Sequence, residues 1–165
     1  MDLLDLDELI INLGIDPTKE QLNLMYLAFK RDFIDSVLVV EGLRVKVVLH
    51  RSQVDGLEDY PETFVHLITR KSVGGKRVFD RHRANKIHWI KSILENRNED
   101  EILYFEYLEG NGKIRDYYWF KEGGFLIIME KITPDYLVIT SFNVDDKRNE
   151  EYFERRYNWY RKYRA

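Results

Sequence analysis

The side chains best suited to proton transfer gather in one part of the chain. Its four histidines are His50, His66, His82 and His88. Three of them fall within residues 66–91, where Arg70, Lys71, Lys76, Arg77, Arg81, Arg83, Lys86 and Lys91 face Asp80 as the one acid. The densest stretch is FDRHRANKIHW, residues 79–89. Cleaving an RNA phosphodiester without metal requires a base for the 2′-hydroxyl, an acid for the leaving 5′-oxygen and cations for the charged phosphorane. Residues 66–91 contain all three kinds of group. The plainer alternative is a solvated run of charge on one side of a loop and helix.

Position within the expected elements refines this. Asp80 is a suitable N-cap for a helix running to about Asn96. At about 100° per residue, Ala84, Ile90 and Leu94 share a face with Ile87, and Arg83 lies within the same stripe. His88 borders that stripe, whereas His82 and Trp89 point elsewhere. An arginine aligned with a core stripe needs a partner. It either meets a carboxylate, snorkels past the helix end, or lines a cleft where an anion would sit. Residues 64–70, FVHLITR, have strand composition, and period two places His66 and Arg70 on one face of that strand. Thr140, in the last strand, could position a phosphate or simply favour the strand. Tyr117, Tyr118 and Trp119 could stack on bases, with alternation sending Tyr118 and Trp119 to opposite faces. ERRYNWYRKYRA at the C-terminus interleaves bases with aromatics. That suits nucleic acid and equally an amphipathic closing helix.

Other chemistries find no support. SVGGKR lacks the first glycine and the Ser/Thr of a P-loop. His82 and His88 are a poor helical metal pair, and there is no HExxH, no two-metal carboxylate cluster and no serine-hydrolase elbow. With no cysteine, disulfides, a thiol nucleophile and cysteine-ligated zinc are excluded.

The elements that must hold these groups read as α+β. Leu3, Leu4, Leu6, Leu9 and Ile10 have helical spacing, broken by Gly14 and Pro17. Thr18 and Gln21 form a capping box for a second helix, with Leu22, Met25, Tyr26 and Phe29 as its stripe. Residues 37–50 read as one or two strands around Glu41-Gly42. After the helix at 80–96 come four strands, 101–108, 113–120, 125–132 and 136–144, joined by EGNG, KEGG and TPD. Links this short require antiparallel neighbours, hence a four-stranded meander. A final helix at 147–163 carries Tyr152, Phe153, Tyr157 and Tyr160 on one side.

The 165 residues, 44% hydrophobic and 14% aromatic, suit a packed domain with a boundary near residue 60. The net charge of −3 conceals the basic window at 66–91 inside an acidic chain, a footprint for a phosphate-bearing partner. The acidic opening MDLLDLDELIINLG does not resemble a secretory signal, and no apolar run is long enough to span a bilayer. A cytoplasmic protein without membrane contact is expected.

VHLITRKS, then FDRHRANKIHWIKSILEN, then RDYYWF, FLIIMEKI and YLVITSF resemble, in that order, the phage-associated barnase–EndoU–colicin–RelE-like nucleases, over residues 60–165. DRHRANKIHWI is the most specific block; the meander is generic. The resemblance implies a toxin-like, metal-independent endoribonuclease with a helix packed on a four-stranded antiparallel sheet, needing no cofactor. It carries over His66, Arg70, Arg83, Lys86, His88 and Thr140. His66 and His88 would be the acid–base members, Arg83 and Lys86 would act at the phosphate, and Thr140 would orient it. Lys71 and Arg81 join Arg70 as phosphate contacts. No position matches a barnase-type glutamate base. The expected partners are an RNA substrate and an antitoxin or host protein. The alternative is a phage protein that binds nucleic acid or a host protein without cutting. Residues 1–60 lie outside the resemblance and would serve docking or self-restraint.

Overall fold

The computed structural model describes residues 3–164, apart from the side chain of Leu4. Its helices are α1 (Lys19–Phe33), α2 (Glu62–Ile68), α3 (Arg81–Ala84), α4 (Trp89–Glu95) and α5 (Lys147–Tyr163). The strands are β1 (Val39–Val40), β2 (Leu43–Lys46), β3 (Thr69–Lys71), β4 (Arg77–Phe79), β5 (Ile102–Leu108), β6 (Ile114–Phe120), β7 (Phe125–Ile132) and β8 (Asp135–Asn143). The architecture is α+β, as the sequence suggests.

The expected meander is present as β5–β8, consecutive and antiparallel. It is not the whole sheet. β2 joins β8 in parallel and β1 continues outward, giving a six-stranded mixed sheet in the order β1-β2-β8-β7-β6-β5. A four-stranded antiparallel sheet is therefore too small a description. The excursion from β2 to β8 is long enough for a parallel crossover, and the hairpin within residues 37–50 supplies both added strands. That hairpin turns through Glu41 and Gly42, both at positive φ (54° and 74°), as a two-residue type I′ connection requires.

Alternation in β6 divides the molecule. Tyr118 and Phe120 join the core beneath α1, α2 and α4, with Phe29, Phe64, Ile90 and Ile127. Tyr117 and Trp119 face the other way, packing with Phe105, Leu126 and Phe153 of α5. Val40 and Val45 belong to the first core, so residues on both sides of position 60 share one sheet and one interior.

Three local expectations change. The N-terminal stripe forms only a short 3-10 turn, Leu3–Asp5, because residues 7–10 bond across to the 85–89 segment rather than to themselves. The strand expected at 64–70 is instead α2 followed by the short β3. Phe64, Val65, Leu67 and Ile68 are all buried, a spacing that fits a helix face, and Pro61 and Glu62 are favourable at its start. Burial of that face overrides β-branched propensity. The helix expected at 80–96 is divided into α3 and α4. Between them, Lys86, Ile87 and Trp89 donate to the carbonyls three residues back, tightening the turn as in a 3-10 helix. Ala84, Ile87, Ile90 and Ile93 remain buried, now at a period of three. By contrast, the Thr18–Gln21 capping box forms in both directions, and α5 matches its expected span.

Candidate active site

Because residues 62–68 are helical, Glu62 and His66 fall four apart on one face of α2. Both open onto a pocket of about 320 Å³ whose wall also carries His50, Arg51, Ser52 and Arg77. The loop bearing His50 is fastened to the start of α2. The Glu62 amide donates to the His50 carbonyl (2.8 Å), and the Val48 amide donates to Thr63 Oγ1 (2.8 Å). His50 Nε2 lies 2.7 Å from Glu62 Oε2, so the carboxylate orients this ring.

His66 is half-buried. Burial, then the positive charges of Arg77, Arg83 and Lys71, lower its pKa to about 4. The imidazole is therefore neutral at pH 7, with an unprotonated ring nitrogen whose basicity the neighbouring cations weaken. The arginines are held by the end of α2. Arg77 donates from Nε to Thr69 Oγ1 (2.8 Å) and from Nη2 to the carbonyls of Thr69 (2.8 Å) and His66 (3.3 Å). Arg83 donates from Nη1 to the same Thr69 carbonyl at 2.6 Å. Cations at a helix C-terminus offset its exposed carbonyls. Arg83 thus meets a carbonyl rather than a carboxylate, and its Nε is buried without a partner among the described residues. Burial lowers the pKa of both guanidiniums.

The other expected site residues disperse. Arg70 and Lys71 are exposed on β3, with Arg70 3.7 Å from Asp80. Arg81 is exposed at the start of α3. Lys86 donates to Asn143 Oδ1 (2.7 Å) and lies over the Trp89 ring; burial lowers its pKa. Thr140 pairs with Ile128 on β8, and Ile128 belongs to the α5-side core. Directly opposed residues share a face, so Thr140 lies across the sheet from α2. His88 is also elsewhere. Its Nε2 donates to the Asp7 carbonyl (2.8 Å), which accepts from Trp89 Nε1 as well (3.0 Å). Burial lowers the His88 pKa, and the charged groups acting on it are Arg31, Asp32 and Asp7, none of which acts on His66.

Four pocket residues were not marked as site residues by the sequence: His50, Arg51, Glu62 and Arg77. The Glu62–His66 spacing was visible in the sequence, but only a helix gives it meaning. A second polar group also went unseen. Buried Asp116 accepts from Tyr104 (2.5 Å) and Tyr136 (2.6 Å), and Tyr136 and Tyr118 share a further bond. Both carboxylate oxygens are satisfied internally, which marks this cluster as structural. Among the described residues, no group of three His, Asp or Glu side chains converges as a metal site would need. No described helix is long and apolar enough to cross a membrane.

The pocket brings a neutral histidine, a carboxylate-bound histidine and two arginines to one opening, an inventory that can move two protons beside an anion. Comparison with protein-family models, curated proteins and solved structures yields no match.

Proposed function

We propose that the chain is a metal-independent RNA endonuclease whose chemistry resides in the α2 pocket. The reading is carried by His50, Glu62, His66 and Arg77 lining one opening. Neutral His66 takes the proton of a ribose 2′-hydroxyl. O2′ bonds to phosphorus, the P–O5′ bond breaks, and His50 gives its proton to O5′. The products are a 2′,3′-cyclic phosphate and a 5′-hydroxyl. Arg51 and Arg77 offset the charge on the phosphorane, while Arg70 and Lys71 lie outside the pocket, where the flanking backbone would pass. This reading replaces His88 with His50 as the second proton-transfer group.

The test is cleavage of total cellular RNA in EDTA by the wild type and by His66→Ala and His50→Ala proteins. Removing either proton-transfer group is expected to slow cleavage by roughly 10²–10⁴-fold. No cleavage by the wild type, or undiminished cleavage by both variants, would overturn the proposal. Binding without cutting is the second reading. It draws on Arg77 and Arg83 being already engaged with the Thr69 carbonyl, and it expects RNA retention with no products.

A further inference from the structure

A cavity of about 490 Å³ lies on the α5 side of the sheet, between β5 and α5. Tyr107, Tyr152, Trp159 and Tyr160 line it together with Leu108 and Ile114, and Arg155, Arg156 and Arg164 are its cations. Glu106 is the one acid in the lining, and it already lies 3.7 Å from Arg164. The Arg156 guanidinium is stacked 3.5 Å from the Tyr107 ring centre and 4.3 Å from that of Tyr152. Trp159 is 55% exposed and Tyr152 41% exposed. The packing of α5 rests on buried Phe153 with Tyr157 and Tyr160 beside it; Tyr152 adds a ring contact to Phe153, and Trp159 lies outside this cluster.

We propose that this groove holds single-stranded RNA, with bases stacked on Trp159 and Tyr152 and backbone phosphates on Arg155 and Arg164. The charge is complementary to a polyanion. The walls are more aromatic than aliphatic, and flat rings beside guanidiniums match a chain that alternates planar bases with phosphates. An acidic peptide would satisfy the arginines and leave the rings unused. The choice of RNA rests on the proposed function, but the groove is a separate site. The sheet lies between it and the α2 pocket.

The chain carries its own reporter. Trp89 and Trp119 are buried and Trp159 is exposed, so quenching by a stacked base reads Trp159. Dodecauridylate would be titrated into a His50→Ala/His66→Ala protein, in which cleavage cannot intervene. Saturable quenching is expected. Fluorescence anisotropy of labelled dodecauridylate should show binding weakened roughly tenfold or more by Trp159→Ala, and weakened also by Arg155→Ala. Both positions are exposed, and unchanged circular dichroism would show that the fold is kept. Absence of quenching would overturn the proposal. So would equal quenching by polyglutamate, which would assign the groove to an acidic protein segment. A dimer in sedimentation that shields Trp159 from iodide would assign it to a second copy and would equally overturn it. Failure of RNA cleavage with this binding intact would remove the proposed function and leave the groove.

Discussion

His66 carries the most informative single-residue behaviour. Its folded pKa is lowered from 6.5 to about 4, so the folded protein binds this proton less readily than the unfolded chain. Stability linked to His66 is complete above pH 6.5 and is lost as pH falls toward 4. After allowance for solvent screening, the loss is on the order of 1 kcal/mol. Chemical denaturation of wild type and His66→Gln across that range should show the acid-side slope reduced in the variant. An NMR titration of the imidazole should place its midpoint near 4. A midpoint near 6.5 would mean that His66 is neither buried nor near the arginines. The arginines themselves are bound to Thr69, whose carbonyl accepts from both. The His66 environment is therefore built by the same bonds that end α2.

At the scale of elements, the 79–89 stretch is chiefly a clasp. Asn85 accepts from the Ile10 amide (2.7 Å) and donates to the Ile10 carbonyl (2.8 Å), pairing with it as a neighbouring strand would. His88 and Trp89 both hold Asp7. Asn85→Ala leaves two backbone groups without partners and is expected to cost roughly 2–3 kcal/mol. Hydrogen exchange should then rise at residues 6–10 before the sheet is affected. On the other face, Phe153 packs against Tyr117, Trp119 and Phe142. Phe153→Ala should cost about 3–4 kcal/mol and loosen α5, measured by denaturation and by exchange at its amides. These elements differ in how readable they were. β5–β8 and α5 were legible because alternation, short turn-rich links and the aromatic side of residues 152–160 agree locally. α2 was not, since a short apolar run fits strand or helix equally. The break at residues 85–88 was not either, because its cause lies 75 residues away at Ile10. The same distance effect governed the site. His66 stood out by charge and scarcity. His50, Glu62 and Arg77 acquire a role only once α2 is a helix, and His88 looked chemical because its partner is 81 residues distant.

Across the whole molecule, the sheet separates the two places proposed to meet an RNA strand. In the proposed reading, the α2 pocket would transfer protons through His66 and His50 beside the fixed charge of Arg77. The α5 groove would supply stacking surface and arginines. A net charge of −3 would repel RNA at long range, so binding must depend on the basic window and the last helix. Its strength should fall steeply as salt rises, measured by anisotropy over a salt series. A flat response would assign RNA contact to neither surface.

The central claim, cleavage by 2′-hydroxyl attack through His66, is tested most directly by the ends of the products. Wild-type protein in EDTA, given one oligonucleotide as RNA and as its all-2′-deoxy counterpart, should cut only the RNA. The new ends should be a 2′,3′-cyclic phosphate and a 5′-hydroxyl, and their formation should fall at least about 100-fold in His66→Ala. Cutting of the deoxy strand, or the same products at an unchanged rate from the His66→Ala protein, would contradict it.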